Sequence, residues 1–225
     1  MKLIVFDIDG TLTDTKEVDD DCFIRAFDTV FGIDLTHQNW AEITNVTDWG
    51  ITEEIINNHW KRNPTSLEYE KMHAAHIHNL ALAKSNDIQQ FQEVDGAKQF
   101  FYYLQTVPEY KLGVATGAWQ ASALIKLNAI GINPLDFPFS NSDYHKTREA
   151  ITLHTVEQAK TSYGFDFQDI IYFGDGEWDF KTCKNLGIPF IGIDITNNNK
   201  LKLLGAKNVF QNYLNPSEIL NILQG

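Results

Sequence analysis

Residues 1–14 read MKLIVFDIDGTLTD. The apolar run Leu3–Phe6 ends abruptly in two aspartates, Asp7 and Asp9, followed by Gly10 and Thr11. A continuously apolar run, rather than an alternating one, is the mark of a parallel strand covered on both faces. Open α/β sheets bind their ligands beyond the carboxyl ends of such strands. Side chains at i and i+2 of a strand point to the same side, so Asp7 and Asp9 can face one ligand.

Further β-rich runs follow at KLGVAT (111–116), FPFS (137–140), DIIYF (169–173) and PFIGI (189–193), with a weaker one at NVF (208–210). Helix-like segments at 97–105, 119–130, 147–162 and 178–186 separate them. This strand–helix–strand alternation predicts an α/β fold with a doubly wound, mostly parallel sheet. Residues 17–90 contain no strong strand. VDDDCFIRAFDTVFG, TEEIINNHWKR and SLEYEKMHAAHIHNLALAKS carry helical periodicity there, punctuated by Gly32 and Pro64. The expected organisation is a core of residues 1–16 and 91–225, with a helical insertion over 17–90.

The chain has 225 residues, 43% of them hydrophobic, enough to bury a core. Its net charge of −12 disfavours binding to nucleic acid or an anionic membrane. A small anionic substrate would then need local cations. Cys22 and Cys183 form no CxxC pair, and the N-terminal apolar run is too short for a signal peptide. The expectation is a soluble, cytoplasmic protein, monomeric or homodimeric.

Three strong strands end in polar, glycine-bearing turns: Asp7-Ile8-Asp9-Gly10-Thr11, Thr116-Gly117, and Gly174-Asp175-Gly176-Glu177-Trp178-Asp179. If these strands are neighbours, four carboxylates converge. Unpartnered, they would repel one another and titrate upward. A hard divalent cation such as Mg²⁺ resolves this, since it takes carboxylate oxygens together with water and substrate phosphate. Gly10 and Gly117 allow close backbone approach, and the hydroxyls of Thr11 and Thr116 suit phosphate oxygens. Lys146, in SDYHKTREAI, and Arg148 supply candidate cations.

The ordered set DIDGTLTD, VATG, a lysine before a helix, and FGDGEWD resembles the haloacid dehalogenase superfamily across essentially the whole chain. The insertion resembles that superfamily's helical cap, in the phosphoglycolate phosphatase and β-phosphoglucomutase-like branch, on a Rossmann-like core. The resemblance implies that Asp7 is the nucleophile forming an aspartyl-phosphate and that Asp9 is the general acid and base. It implies phosphate binding by Thr116, and Mg²⁺ binding by Asp7, the Asp9 carbonyl, Asp175 and Asp179. Lys146 is favoured over Arg148 as the cation facing Asp7, although Lys146-Thr147-Arg148 departs from the usual Lys-Pro. The superfamily's dehalogenase and phosphonate-hydrolase branches lack an aspartate where Asp9 stands, which points here to phosphate esters.

Thr47 and Asp48 read as a helix N-cap and also resemble the cap loop that reaches substrate. Trp40, Trp49, His59 and Trp60 are open as pocket-lining residues. A calcium loop fits poorly, because Gly10 comes too early and Val18 stands where an acid is needed. His73, His76 and His78 do not share one helical face and read as packing or surface residues. Asp19, Asp20 and Asp21 read as acids favouring a helix N-terminus. The leading function is a Mg²⁺-dependent phosphatase of a small phosphorylated metabolite. A phosphosugar mutase and a non-catalytic phosphometabolite-binding module are the alternatives.

Overall fold

The computed structural model describes residues 1–225, apart from the side chain of Ala41. The chain opens with β1 (Lys2–Phe6) and a short β2 (Thr13–Asp14), then three helices, α1 (Lys16–Phe31), α2 (Asp48–Trp60) and α3 (Ser66–Asn86). It returns through β3 (Gln92–Glu93) into an alternating series. This runs α4 (Ala97–Thr106), β4 (Tyr110–Ala115), α5 (Gln120–Ala129), β5 (Phe139–Ser140), α6 (Arg148–Tyr163) and β6 (Asp169–Gly174). It closes with α7 (Glu177–Leu186), β7 (Phe190–Ile193), α8 (Lys200–Leu203), β8 (Asn208–Phe210) and α9 (Pro216–Gln224).

The six longer-range strands form one parallel sheet in the order β5–β4–β1–β6–β7–β8. The strand order reverses at β1, so the sheet's switch point lies at its carboxyl end. Register fixes what meets there. Phe6 pairs with Val114 on one side and with Phe173 on the other. The turns after β1, β4 and β6 therefore emerge side by side, and the Asp7 N–H donates to the Phe173 carbonyl at 2.9 Å.

Successive β1 residues supply opposite faces, as the period of two requires. Ile4 and Phe6 pack with Phe101, Leu127, Phe173 and Leu223. Leu3 and Val5 pack with Ile151, Val156, Tyr172 and Cys183 on the other face. Both cysteines are buried free thiols. The helices α1–α3 carry their own cluster around Phe23, Phe27, Leu35, Ile55 and Met72, which also receives Trp119 from the start of α5. The core thus inserts one of its own aromatics into the helical segment.

Two features differ from the sequence expectation. The run at 137–140 yields only the two-residue β5, because Pro138 has no N–H to give a ladder. The antiparallel β2–β3 ribbon was not anticipated: at two residues per strand it leaves no periodicity to read. It pairs Thr13 with Glu93 and Asp14 with Gln92, clamping together the two points where the chain leaves and re-enters the core.

Candidate active site

At the switch point, Asp7 is 2% exposed and Asp179 fully buried. One carboxylate oxygen from each of Asp7, Asp175 and Asp179 lies within 4.8 Å of the others. Asp175 follows β6 directly, and its close approach depends on Gly10, where φ is +72° and a Cβ would collide with the Asp175 carboxylate. Asp179 stands in the first turn of α7, accepting the Gly176 N–H at 3.0 Å.

Burial raises all three carboxyls above their usual range. Asp179 adds repulsion at Asp7, against the lowering pull of Arg148. Asp179 itself is pushed up to about 6 by burial, with Arg148 opposing. Asp175 is raised by burial despite the opposing Lys16 ammonium. Clustered acids in this condition suit a divalent cation, whose charge reverses the logic. A second observation agrees: Asp175 Oδ1 is buried with no hydrogen-bond partner in the protein. The donors are all oxygen, as Mg²⁺ requires.

The cation beside Asp7 is Arg148, the first residue of α6. Its Nη1 donates to Asp7 Oδ1 at 3.0 Å and to Asp179 Oδ1 at 3.3 Å, and its Nε donates to the Val46 carbonyl at 2.8 Å. Gly117 makes room for it, because a Cβ there would lie 2.6 Å from the guanidinium. Lys146 does not face Asp7. Its side chain is 44% exposed and its ammonium bonds Glu53 at 2.7 Å. The sequence preference for Lys146 is corrected on this point. Arg148 sits on the first turn of α6, over the sheet edge, whereas Lys146 precedes the Thr147 N-cap and points outward.

Asp9 is held from two sides. Thr15 donates its hydroxyl to Asp9 Oδ1 at 2.6 Å, and Lys126 donates to Asp9 Oδ2 at 2.5 Å. Lys126 lies on α5 with its side chain fully buried, and it also meets Asp19 Oδ1 at 3.1 Å. Asp19 in turn lies 3.2 Å from His76 Nε2. Burial would push Asp19 up, but Lys126 and His76 hold it well below the usual carboxylate range. Burial would lower Lys126 and His76, and the neighbouring carboxylates raise both instead. Lys16 closes the set, donating to Asp175 Oδ2 at 2.8 Å.

The helical segment approaches through the N-terminus of α2. Thr47 caps it, its Oγ accepting the Gly50 N–H at 3.0 Å while donating to the Lys146 carbonyl at 2.8 Å. The Asp48 N–H donates to the Gly117 carbonyl, and Asp48 Oδ2 accepts the Trp119 N–H, both at 2.8 Å. A cleft of about 280 Å³ lies between the segment and the core.

Asp7, Asp9, Thr47, Asp48, Gly117, Arg148 and Asp175 line this cleft. Gly10, Thr11, Thr116 and Asp179 do not line it. The Oγ of Thr116 accepts the Ala118 N–H at 3.2 Å, and the buried Thr11 Oγ meets no partner. Of the four aromatic candidates, Trp40 lines the cleft; Trp49, His59 and Trp60 do not.

The sequence does not single out Lys126, Thr15 or Lys16; it reads Asp19 as a helix N-terminal acid and His76 as a packing or surface residue, and the structure joins both to the Asp9 network. One signal was available for Lys126: it shares the buried face of α5 with Ala123 and Leu127, just before the buried Ile130. A lysine within an apolar stripe needs a buried partner.

Residues 4–193 match the haloacid dehalogenase-like hydrolase family. The chain belongs to that family. Among the similar proteins is a phosphoglycolate phosphatase from Mesorhizobium japonicum, 24% identical over 205 residues that span 85% of this chain and 82% of that protein. Solved structures carry the same fold. A hydrolase from Pseudomonas syringae superposes with a TM-score of 0.77 at 18% identity, covering 99% of both chains. CbbY from Rhodobacter sphaeroides in complex with phosphate does so at 0.70 and 17%, covering 95% of both. A haloacid dehalogenase-like hydrolase with this acidic cluster can offer a buried carboxylate to an electrophile while a guanidinium and a cation offset the charge.

Proposed function

We propose that this hydrolase is a Mg²⁺-dependent phosphatase of a small phosphorylated metabolite, working through an aspartyl-phosphate on Asp7. The observation that carries the reading is Asp7 itself: a buried carboxylate at the switch point, clustered with Asp175 and Asp179 and bonded by Arg148. The phosphatase and the phosphate-bound CbbY among its relatives support phosphate-ester chemistry.

In the first step an Asp7 oxygen forms a bond to phosphorus as the ester P–O bond breaks, and Asp9 gives its proton to the departing oxygen. In the second, Asp9 takes a proton from water, whose oxygen attacks phosphorus and returns Asp7 as carboxylate with inorganic phosphate. Arg148 offsets charge on the transferring oxygens. Asp7, Asp175 and the Asp9 carbonyl would hold Mg²⁺, with Asp179 ligating or orienting beside them. That ion supplies positive charge to the phosphoryl oxygens.

Lys126 and Thr15 keep the Asp9 side chain in place. Residues 17–90 serve as the cap, with Thr47 and Asp48 carrying it onto Gly117. No helix is long and apolar enough to cross a membrane, and the two buried free thiols accord with a reducing cytoplasm.

The test is phosphate release from a broad panel of monoesters with Mg²⁺. Turnover is expected, and Asp7→Asn should lower it by about 10⁴-fold or more. Interconversion of phosphosugars faster than phosphate release would instead indicate a mutase. Binding without any turnover would indicate a non-catalytic module.

A further inference from the structure

The cleft's two walls differ in chemistry. The core wall carries the charged machinery. The wall from the helical segment carries an apolar stretch: Phe23, Trp40, Ile43, Val46 and Ile51 face the cleft, beside Asp19, Asp20, Thr47 and Asp48. Trp40, Val46 and Ile51 are only partly covered by their own cluster, so apolar surface is open toward the site. At about 280 Å³ the space is at the small end of ligand pockets, which run about 300–1,000 Å³.

Most polar groups on this side are already engaged; Asp20 alone among them makes no hydrogen bond or ion pair. Thr47 is bonded to Gly50 and the Lys146 carbonyl, Asp48 to the Trp119 N–H, and Asp19 to Lys126. Lys16 and Lys200, at the rim, are paired with Asp175 and Glu177. A polyhydroxylated group pushed against this wall would lose water from several hydroxyls and find one open acceptor, the Asp20 carboxylate. A second carboxylate would meet Asp19, Asp20 and Asp48, which lie on the same cleft.

We infer that the leaving group is short, uncharged and apolar, so that the preferred substrate is an alkyl-type phosphate monoester, not a sugar phosphate or a phosphorylated acid. This rests on the phosphatase reading and specifies its substrate class. The phosphate faces Arg148 and Asp7, while the carbon chain lies along Trp40, Val46 and Ile51.

The experiment is a kcat/KM series on the full-length protein with Mg²⁺. The probes are ethyl, propyl and butyl phosphate, set against glycerol 1-phosphate, 3-aminopropyl phosphate and phosphoglycolate. Glycerol is the better leaving group on acidity alone, so a preference for the alkyl esters must come from binding. The expected result is a rise of about fourfold per added methylene, with butyl phosphate above all three polar esters. In Ile51→Asn, checked for an unchanged melting temperature, the butyl-to-glycerol ratio should drop about tenfold.

A flat alkyl series, or any polar ester exceeding butyl phosphate, overturns the inference and leaves the phosphatase reading intact. Faster turnover of the aminopropyl ester would assign Asp20 to an ammonium group instead. Hydrolysis of none of the six, nor of an aryl phosphate, defeats the phosphatase reading and this inference with it.

Discussion

Arg148 and Lys146 stand two residues apart and have opposite circumstances. The guanidinium is largely enclosed by Asp7, Asp179 and the Val46 carbonyl, its side chain 12% exposed, and its fork geometry lets one side chain serve all three. The Lys146 ammonium rests on the surface against Glu53 and over the Trp49 ring, 5.3 Å from its centroid. Such an exposed pair contributes about 0–1 kcal/mol. Arg148→Ala should therefore lower kcat by about 10²–10³-fold, whereas Lys146→Ala should change it less than about threefold. Steady-state assays on both variants decide the matter, and a larger loss at Lys146 would reverse the assignment. Proximity in sequence could not separate these residues, because the separation is made by where Thr147 starts a helix.

At the level of elements, the helical segment meets the core through the N-terminus of α2, and Asp48 is the joint. Burial pushes its carboxyl up to about 6, with Asp19 adding repulsion and His76, Lys126 and the Trp119 N–H pulling it down. An acid raised above its unfolded value keeps the folded chain more protonated than the unfolded one between about pH 4 and pH 6. Its contribution to stability must therefore fall as pH rises through that window. His76 acts in the same sense. Its folded value is raised, so its contribution is present at low pH and lost as pH rises through that value. Asp48→Asn keeps an oxygen for the Trp119 N–H and removes the titration. Urea unfolding of the two proteins should show wild-type stability relative to the variant declining by on the order of 2–3 kcal/mol from pH 4 to pH 7. A constant difference would mean that Asp48 is ionised throughout.

The elements also mark what a sequence can carry. Long apolar runs such as KLIVF and DIIYF declare themselves, because burial on both faces leaves no polar alternation. Thr47 was legible as a cap, since its signature is local. The β2–β3 ribbon was not, and neither was the chain of contacts from Asp9 through Lys126 and Asp19 to His76. Those four residues come from four separate stretches, and only the folded topology brings them together.

For the whole molecule, the parallel sheet and its β1 switch point explain why motifs spread over 170 residues of chain form one site. The order of motifs in the sequence already implied this convergence. It could not reveal that Trp40, Val46 and Ile51 open apolar surface toward the site, because that depends on how the helical segment folds back over the core. The acidic cluster has a global consequence as well. A cation that relieves Asp7, Asp175 and Asp179 binds the folded chain and not the unfolded one. Mg²⁺ at 100 times its dissociation constant should therefore raise stability by about 2.7 kcal/mol. Thermal melts with and without chelator would register this, and Asp175→Asn should remove most of the difference.

The central claim is that Asp7 becomes phosphorylated. Rapid quenching of the Mg²⁺-loaded protein during turnover of a phosphate ester, followed by borohydride reduction, converts an aspartyl-phosphate to homoserine. Peptide mass spectrometry then locates it. The account predicts homoserine at position 7 and nowhere else, and its absence from the Asp9→Asn protein run without substrate. Homoserine at another aspartate, or an unmodified Asp7 in a protein that is turning over substrate, would contradict it.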